Sequence, residues 1–482
     1  MAGTGPDRLV DGDSRLSGDE LDEQVAAVAG GLRALGVRRR DVVAWQLPNW
    51  REAVILYRAC WRLGAVAAPV HHAAGPAEAD AMMAGLRPRI ILGQATASGA
   101  VAAAAATPRL GLRPGELPEG KPVRQSAAKP ADLAAVLFTS GSAGQPKAVL
   151  HTHRGLAYKA HVMARAHGLT PADAILMPAP LAHISGLLNG VLVPQAAAMR
   201  VVLMDRWSPA EALAIIEREG ISFMIGPPTF FIGMLDTAGF SPAAVRSLRL
   251  ISSGGAGVTP SFVEWASERY GCRVKRTYGS TEAPTVTTSG PDDDPQRGAT
   301  TDGRPVGEVE LRISDPATGR RLRRAGTAGE LWLRGPELFA GYADAAETRA
   351  AFTRGWFRTG DLATVDAGGW LTIVGRMKDV IIRGGENIAA AEVEAVLEAH
   401  PAVRQAVAVG YPDPLMGERV AAFVVASEPF ELDACRAWFA ERGVARYKTP
   451  ERVLTVPSFP TLAAGKPDRA ALRALAAESS SS

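Results

Sequence analysis

Segments with helical and with strand-like hydrophobic patterns alternate along the first part of the chain. Residues 20–35 carry apolar side chains at three- and four-residue steps and end at Gly36, which predicts an amphipathic helix. A buried strand over 41–47, a helix over 52–63 and a strand over 65–70 are predicted next. Strands that alternate with helices favour a parallel sheet covered by helices on both faces. The sequence therefore predicts a doubly wound α/β fold.

The pattern changes several times further along the chain. An alanine-rich stretch over 97–106 is predicted to be a surface helix or loop, and a proline-rich connector follows over 112–130. The α/β alternation returns over 133–271. Residues 290–304 are rich in Gly, Pro and Asp and are predicted to form a loop, whereas 307–333 has the pattern of short strands with turns. We expect the latter to form a small barrel-like subdomain.

A compact run of strands and helices follows residue 375. Helices are predicted over 390–400 and 432–442, and strands over 403–409 and 420–425. The run has the size of a small α+β domain. The sequence therefore predicts a large α/β domain followed by a smaller α+β domain.

Charge and cysteine content exclude several classes of protein. The chain of 482 residues has 53 Lys and Arg against 50 Asp and Glu, a balance that does not indicate a nucleic-acid partner. Cys60, Cys272 and Cys435 have no disulfide-framework or zinc-ligand spacing. The beginning of the sequence lacks the apolar core of a signal peptide, and no apolar run is long enough for a membrane span. We expect a cytoplasmic protein without a membrane span.

A loop rich in small and hydroxyl-bearing residues follows an apolar run over 134–139. Its sequence is Thr139, Ser140, Gly141, Ser142, Ala143, Gly144, Gln145, Pro146 and Lys147. Converging backbone N–H groups, hydroxyls and a lysine could bind a polyphosphate. The spacing differs from the G-x-x-x-x-G-K-[ST] loop and so disfavours an ordinary P-loop NTPase. The alternative is a plain turn between a strand and a helix.

Five further motifs follow this loop in order. They are Ser252-Ser253-Gly254-Gly255-Ala256-Gly257, Tyr278-Gly279-Ser280-Thr281-Glu282, Gly355-Trp356-Phe357-Arg358-Thr359-Gly360-Asp361, Gly375-Arg376-Met377-Lys378-Asp379 with Gly384-Gly385-Glu386-Asn387 after it, and Gly465-Lys466. The set resembles the motifs of the adenylate-forming superfamily: acyl- and aryl-CoA synthetases, peptide-synthetase adenylation domains and luciferases. The resemblance covers residues 20–472 and departs from the pattern at Ala143, Ala148 and Pro467.

This resemblance implies a nucleotide site and names its residues. ATP or AMP would contact Thr139, Ser140, Gly141, Ser142, Gly144, Lys147, Gly254, Gly255, Ala256, Tyr278, Gly279, Ser280, Thr281, Asp361 and Arg376. In the family the tyrosine stacks on adenine, the threonine contacts phosphate and the aspartate binds the ribose. Glu282 would help to hold Mg²⁺, which prefers oxygen ligands.

The resemblance also implies a catalytic group, an acid pocket and a hinge. Lys466 would be the catalytic lysine, acting together with Glu282, Thr281 and His183. The acid would be bordered by His183, Ser185, Asn189, Gly226, Gly254 and Ala283, although His183 could instead be a packed core histidine. The domains would be 1–375 and 379–482, with a hinge over 376–378 that pivots at Lys378. The loop with Gly384, Gly385 and Glu386 would serve the thiol step.

The implied activity has two half-reactions at one site. An acid carboxylate attacks ATP to give an acyl-adenylate and pyrophosphate, and a thiol then displaces AMP. We expect ATP, Mg²⁺ and coenzyme A to be required and the small domain to be mobile. The small or polar pocket residues favour a compact aromatic, alicyclic or short- to medium-chain acid, although an unusual acid remains open. Alternatives are an acid–AMP ligase that serves a carrier protein or an amine, a non-catalytic binding relative, and a luciferase-like oxidase. A monomer or homodimer is expected.

Overall fold

The computed structural model describes most of the chain. The described residues are 5–83, 85–94, 107–139, 146–255, 257–384, 386–461 and 466–478. The predicted surface helix or loop over 97–106 lies outside them, as do residues 140–145 of the glycine-rich loop, Ala256 and Gly385. Within the described ranges, every helix is too short or too polar to cross a bilayer.

Nine strands among the described residues form the first sheet. In spatial order they are Arg304–Pro305, Thr287–Thr288, Arg273–Tyr278, Leu250–Gly254, Phe223–Gly226, Ala174–Met177, Arg200–Leu203, Asp7–Asp11 and Ser14–Ser17. The central strands are parallel, and the pairs at both ends are antiparallel. Gly226, Gly254 and Tyr278 all stand at the carboxyl ends of parallel strands, the edge where α/β sheets place their ligands.

Seven described strands form the second sheet. In spatial order they are Gly341–Tyr342, Lys147–Thr152, Leu133–Thr139, Val66–Val70, Val42–Gln46, Ile90–Gln94 and Arg109–Leu112. The two strands at the Gly341–Tyr342 end run antiparallel to their neighbours, whereas the other pairs are parallel. One apolar core lies between this sheet and the first sheet, since Val43 and Ile175 belong to the same cluster. The prediction of doubly wound sheets is confirmed.

Two smaller sheets of five described strands each complete the fold. The third contains Glu310–Ser314, Gly329–Arg334, Phe352–Thr353, Trp356–Val365 and Leu371–Arg376, all antiparallel. The fourth contains Val380–Arg383, Glu386–Ala389, Val403–Asp413, Gly417–Ala426 and Arg452–Thr455. The fourth sheet has its own core, which confirms the predicted small α+β domain after a large α/β domain.

Helices cover these sheets. The helices before the third sheet are Gly18–Ala34, Arg51–Leu63, Pro76–Met83, His153–Ala166, Ile184–Gly186, the π-helix Leu187–Leu192, Val193–Ala197, Pro209–Glu219, Pro228–Leu235, Pro260–Tyr270 and Pro295–Thr300. The later helices are Ala345–Ala351, the 3₁₀ turns Met377–Asp379 and Arg446–Lys448, Ala390–Glu398, Leu432–Glu441 and Arg469–Glu478. The predicted helices over 20–35, 52–63, 390–400 and 432–442 are confirmed to within two residues.

Among the helices, Pro295–Thr300 and Arg469–Glu478 differ from the sequence prediction. The predicted loop over 290–304 contains the helix Pro295–Thr300, because Asp294 caps it through the Gln296 amide and Pro295 occupies its first turn. The helix Arg469–Glu478 was also not predicted. Its Leu472 and Ala476 pack on a face of the fourth sheet, so tertiary packing stabilises a segment whose composition alone gives little signal.

Contacts among the described residues join the small domain to the large one. Arg404 pairs with Asp236 at 3.3 Å. Glu398 hydrogen-bonds Thr259, the residue that caps the helix Pro260–Tyr270. The C-terminal end of Ala390–Glu398 therefore contacts the start of the large-domain helix Pro260–Tyr270. This docking places the small domain over the carboxyl edge of the first sheet.

Candidate active site

Lys466 lies beside the backbone of Gly255. A Cβ placed on Gly255, whose φ is +80°, would be 3.7 Å from Cε and 3.9 Å from Nζ of the lysine. The lysine is exposed to solvent, yet its pKa is lowered by desolvation within the surrounding protein and by the Arg376 guanidinium. Asp361 and Glu282 act on this pKa in the opposite direction. The predicted catalytic lysine is therefore gathered with three other predicted site residues.

Asp361 is held between two donors. The Tyr278 hydroxyl donates to its Oδ2 at 2.5 Å, and Arg376 Nε lies 2.9 Å from its Oδ1. Asp361 and Arg376 face each other in register on adjacent strands of the third sheet, whereas Tyr278 ends a strand of the first. Burial raises the pKa of Tyr278, and the neighbouring carboxylate raises it further. The motif residues assigned to the ribose and the adenine thus form one contiguous group.

The turn that carries Glu282 is fixed through its backbone. The amide of Phe339 donates to the Glu282 carbonyl at 2.8 Å, and the Ser280 amide donates to the Ala283 carbonyl at 2.9 Å. A Cβ on Gly279 would lie 2.3 Å from the Thr285 amide nitrogen, so only glycine fits this tight turn. These contacts fix the direction in which the Glu282 carboxylate leaves the backbone.

Two residues outside the sequence motifs support this turn. The Tyr342 hydroxyl donates to Glu282 Oε1 at 2.8 Å. The buried imidazole of His151 hydrogen-bonds the backbone of Thr281, and burial lowers the pKa of this histidine to about 4. A neutral ring donor at this place fixes the threonine without adding a charge. Neither residue was predicted, and their only sequence signal is that both lie on strands bordering the glycine-rich loop and its sheet.

The carboxylate of Glu282 fits the donor chemistry of Mg²⁺. It is half-buried, and it is close enough to Lys466 to influence that lysine's pKa. No group of three or more metal-binding side chains occurs among the described residues. Mg²⁺ commonly takes one or two carboxylates together with phosphate oxygens, so Glu282 would hold it jointly with the nucleotide. The ion would supply positive charge at the polyphosphate.

The glycine-rich loop joins two antiparallel strands rather than a strand and a helix. Thr139 and Lys147 are opposite each other in register at the two ends of the loop. The alternative prediction of a strand-to-helix turn is therefore wrong, because residues 147–152 pair along Leu133–Thr139 before the helix begins at His153. The Lys147 ammonium lies 3.0 Å from Glu347 Oε1 and 5.1 Å from the centre of the Tyr342 ring.

Three of the predicted acid-pocket residues have defined hydrogen bonds or strand partners. Asn189, within the π-helix, donates to the Ser185 carbonyl at 2.9 Å, and its Oδ1 is buried without a hydrogen-bond partner among the described residues. Gly226 pairs in register with Ser253, whose hydroxyl donates to the Gly226 carbonyl at 3.2 Å. π-Helical turns are frequent at functional sites. The unpaired amide oxygen offers one acceptor for a ligand.

Two of the small residues have defined neighbours. A Cβ on Gly226 would lie 2.7 Å from the ring of Phe230, which itself stacks on Trp207 at 4.3 Å between ring centres. A Cβ on Gly254 would lie 2.4 Å from the Thr277 carbonyl oxygen. Both glycines therefore allow close packing at the carboxyl edge of the first sheet. Their lack of a side chain does not by itself show how much space an acid would have.

Comparison with protein families accounts for this arrangement. The model of the AMP-binding enzyme family matches residues 2–343, and that of the AMP-binding enzyme C-terminal domain matches 392–466. The chain belongs to the AMP-binding enzyme family. It is thus an adenylate-forming ligase, as the ordered motifs predicted, and ATP is the nucleotide substrate that this family membership supports.

Individual relatives of this AMP-binding enzyme differ in what they make. The medium-chain fatty-acid–CoA ligase of Escherichia coli is 32% identical over 94% of this chain and 84% of its own. The 2,3-dihydroxybenzoate-AMP ligase of Bacillus subtilis is 33% identical over 96% of this chain and 89% of its own. ATP-bound MatB from Rhodopseudomonas palustris superposes with a TM-score of 0.88 at 28% identity, over 98% and 96% of the two chains.

In this AMP-binding enzyme the strands on either side of the predicted thiol-step loop belong to the fourth sheet. The strands Val380–Arg383 and Glu386–Ala389 form a hairpin, and the Gly384 amide donates to the Met416 carbonyl at 2.8 Å. A Cβ on Gly384 would contact Met416 of the same small domain. Lys378 is exposed in the 3₁₀ turn that precedes the hairpin. Lys378 also acts on the pKa of Lys466, so this turn lies near the predicted catalytic lysine.

Proposed function

We propose that this enzyme activates a small organic acid with ATP and transfers the acyl group to the thiol of coenzyme A. In the first step an acid oxygen attacks the α-phosphorus of ATP, and pyrophosphate leaves with the electrons of the broken P–O bond. In the second step the thiol sulfur attacks the acyl carbon, AMP leaves, and the thiol proton is released. The acid we expect is aromatic, alicyclic or of short to medium chain length.

The position of Lys466 is the observation that supports the proposed adenylation step. Carboxylate and triphosphate are both anionic, so their approach requires positive charge fixed in advance. The Lys466 ammonium and the Arg376 guanidinium supply that charge near Gly255 and Asp361, where the motifs place the nucleotide. The pKa of Lys466 is lowered first by desolvation within the surrounding protein and then by the Arg376 guanidinium, whereas Asp361 and Glu282 raise it. A role of Lys466 in adenylation accounts for its position beside Gly255 better than a purely structural role does.

The thiol step rests on the small domain's layout. Gly384 and Lys466 belong to the same domain, and the lysine lies beside Gly255. We propose that rotation about Lys378 exchanges the two, which would let one site serve two transition states. The proposed domain division is 1–375 and 379–482, with 376–378 between them.

A second acceptor is favoured by one observation. The relative from Bacillus subtilis is named as an acid–AMP ligase, and its identity to the chain is close to that of the CoA ligase from Escherichia coli. An acceptor other than CoA, such as a carrier-protein thiol or an amine, is therefore the competing proposal. It shares the adenylation step and all of the residues assigned to that step.

The deciding experiment supplies the enzyme with ATP, Mg²⁺, CoA and a panel of aromatic, alicyclic, aliphatic and amino acids. Products are identified by mass spectrometry, and pyrophosphate is measured in parallel. An acid-dependent acyl-CoA is expected. Pyrophosphate with AMP but without acyl-CoA would contradict the CoA proposal and favour the second acceptor. A matched reaction without CoA separates adenylate hydrolysis from transfer.

A further inference from the structure

Three histidine rings meet beside the predicted acid pocket. His71 and His72 follow the strand Val66–Val70, and their rings stack with centres 4.6 Å apart. The rings of His71 and His183 pack edge to face, with their centres 5.3 Å apart. His183 is close enough to Lys466 for the ammonium to lower the pKa of this histidine. The cluster therefore extends from the catalytic lysine toward the second sheet.

The position of His71 is fixed by its own loop. Gln46 Nε2 donates to the carbonyl of His71 at 3.1 Å and to that of Ala74 at 2.9 Å. The Ala73 amide donates to His71 Nδ1 at 3.1 Å. Because Nδ1 accepts a hydrogen bond, the proton of the neutral ring is on Nε2. The loop thus presents Nε2–H as a preorganised donor.

The Nε2–H donor of His71 is unpaired among the described residues. His71 is 9% exposed, and its Nε2 is buried without a hydrogen-bond partner among the described residues. Burial, followed by His183 and His72, lowers the pKa of His71 to about 4, so the ring is neutral near pH 7. Buried polar groups in native proteins are nearly always paired, and an unpaired one is unfavourable. A bound ligand with an acceptor atom would satisfy it.

We propose that His71 Nε2–H donates to an oxygen on the acyl group of the acid substrate, distinct from the carboxylate that is activated. The inference rests on the proposed function, because it takes the acid to lie between Lys466 and His71. The substrate is then a hydroxy, alkoxy or keto acid rather than a plain alkyl or aryl acid. An acid without this oxygen would leave the donor unpaired in the bound complex, which is the strongest basis for rejection that a site has.

The test uses pairs of acids that differ by one oxygen. Benzoate is compared with its three monohydroxy isomers, cyclohexanecarboxylate with its keto derivatives, and butyrate with 3-hydroxybutyrate. Acid-dependent pyrophosphate release gives kcat/KM for each acid, with the wild type, His71→Phe and His72→Phe. The phenylalanine at 71 keeps a ring but removes the donor. His72→Phe is the matched control, because its ring is adjacent and exposed.

The wild type is expected to prefer one oxygen-bearing acid over its partner by about ten- to a hundredfold in kcat/KM. His71→Phe should bring that ratio close to one, because the oxygen-bearing acid loses its donor and the unsubstituted acid no longer leaves a donor unpaired, whereas His72→Phe should preserve the ratio. The inference is overturned if the wild type uses both acids of every pair equally. It is also overturned if the preference survives in His71→Phe, or if this variant lowers kcat/KM equally for both acids. Absence of acid-dependent pyrophosphate from every acid overturns the proposed function, and this inference with it.

Discussion

The hydroxyl of Tyr342 donates a hydrogen bond to Oε1 of Glu282 across 2.8 Å. Tyr342→Phe keeps the ring beneath Lys147 and removes only this donor. We expect the Mg²⁺ concentration for half-maximal adenylation to rise by roughly tenfold, because partners that orient a metal ligand affect metal affinity by about that factor. Pyrophosphate release titrated with Mg²⁺ measures it. An unchanged Mg²⁺ dependence would show that the tyrosine has no part in orienting the carboxylate.

Lys466→Ala should lower adenylation by about two to three orders of magnitude, the loss typical of a preorganised charge at a reacting centre. The same variant should convert a supplied acyl-adenylate to its thioester at the wild-type rate. Single-turnover assays of the two steps provide the measurement. Lys448→Ala is the control, since this lysine of the small domain pairs with Glu392 at 2.5 Å and should spare both steps. Equal loss of both steps in Lys466→Ala would contradict its assignment.

Lys378→Pro should have the opposite effect. Proline fixes φ and removes the backbone N–H, so rotation at an exposed position of the 3₁₀ turn becomes restricted. Pyrophosphate exchange should persist, whereas thioester formation should fall by roughly a hundredfold if the docked arrangement is trapped. Lys378→Ala should preserve both steps and serves as the control for the lost side chain. Normal acyl-CoA turnover by the proline variant would refute the pivot.

Glu398 should make docking of the small domain depend on pH. Burial between the domains, with Glu394 adding to it, raises the pKa of Glu398 to about 8, while Ala406 and Thr259 act in the opposite direction. The docked state therefore favours the protonated acid. Its stabilisation is complete below the ordinary pKa of 4.5 and is lost as the pH rises to about 8.

Glu398→Gln mimics the protonated acid and tests this directly. The variant's unfolding midpoint should exceed that of the wild type by a few degrees above pH 8, and the two midpoints should converge toward pH 5, since roughly 2–4 °C corresponds to each kcal/mol in larger domains. Differential scanning calorimetry across pH 5–9 measures the difference. Glu441→Gln, in the small-domain helix Leu432–Glu441, is the control, because its carboxylate is exposed. Parallel profiles for Glu398→Gln and the wild type would contradict the interpretation.

Lys159 and Glu337 form an ion pair, 3.0 Å apart, in which both side chains are 0% exposed. The lysine also donates to the carbonyls of Thr285 and Val306. Lys159→Met should lower the free energy of unfolding by about 3–5 kcal/mol, because the carboxylate would be left buried and uncompensated. Adding Glu337→Gln should recover a large part of the loss. Chemical denaturation is the measurement, and a double variant no more stable than the single one would exclude a charge effect.

Much of the fold was predictable from local pattern. The helix Gly18–Ala34 has a clear apolar period, and Ser17 and Glu20 form a capping box at its start. The helix Pro295–Thr300 was missed because six residues are too few to show a period and because Gly, Pro and Asp also build loops. Lys147–Thr152 was missed as a strand because a glycine-rich loop can lead into either element.

The site was predictable as a set of motifs but not as a set of contacts. Asp361, Glu282 and Lys466 were identified by resemblance, and their proximity needed the structure. His71, His151 and Tyr342 carry no motif of their own, because each acts on a residue distant in sequence. Such residues are found only when the fold brings their strands to the same edge.

The groups around Gly255 come from separately packed parts of the molecule. Tyr278 ends a strand of the first sheet, Gln46 positions the histidine loop from the second, Asp361 lies in the third, and Lys466 belongs to the small domain. Partial denaturation that loosens any one of these bodies would disperse the site while most backbone hydrogen bonds persist. Catalysis should therefore report the integrity of this molecule more sensitively than its circular dichroism does, and a preparation with native-like spectra can still be inactive.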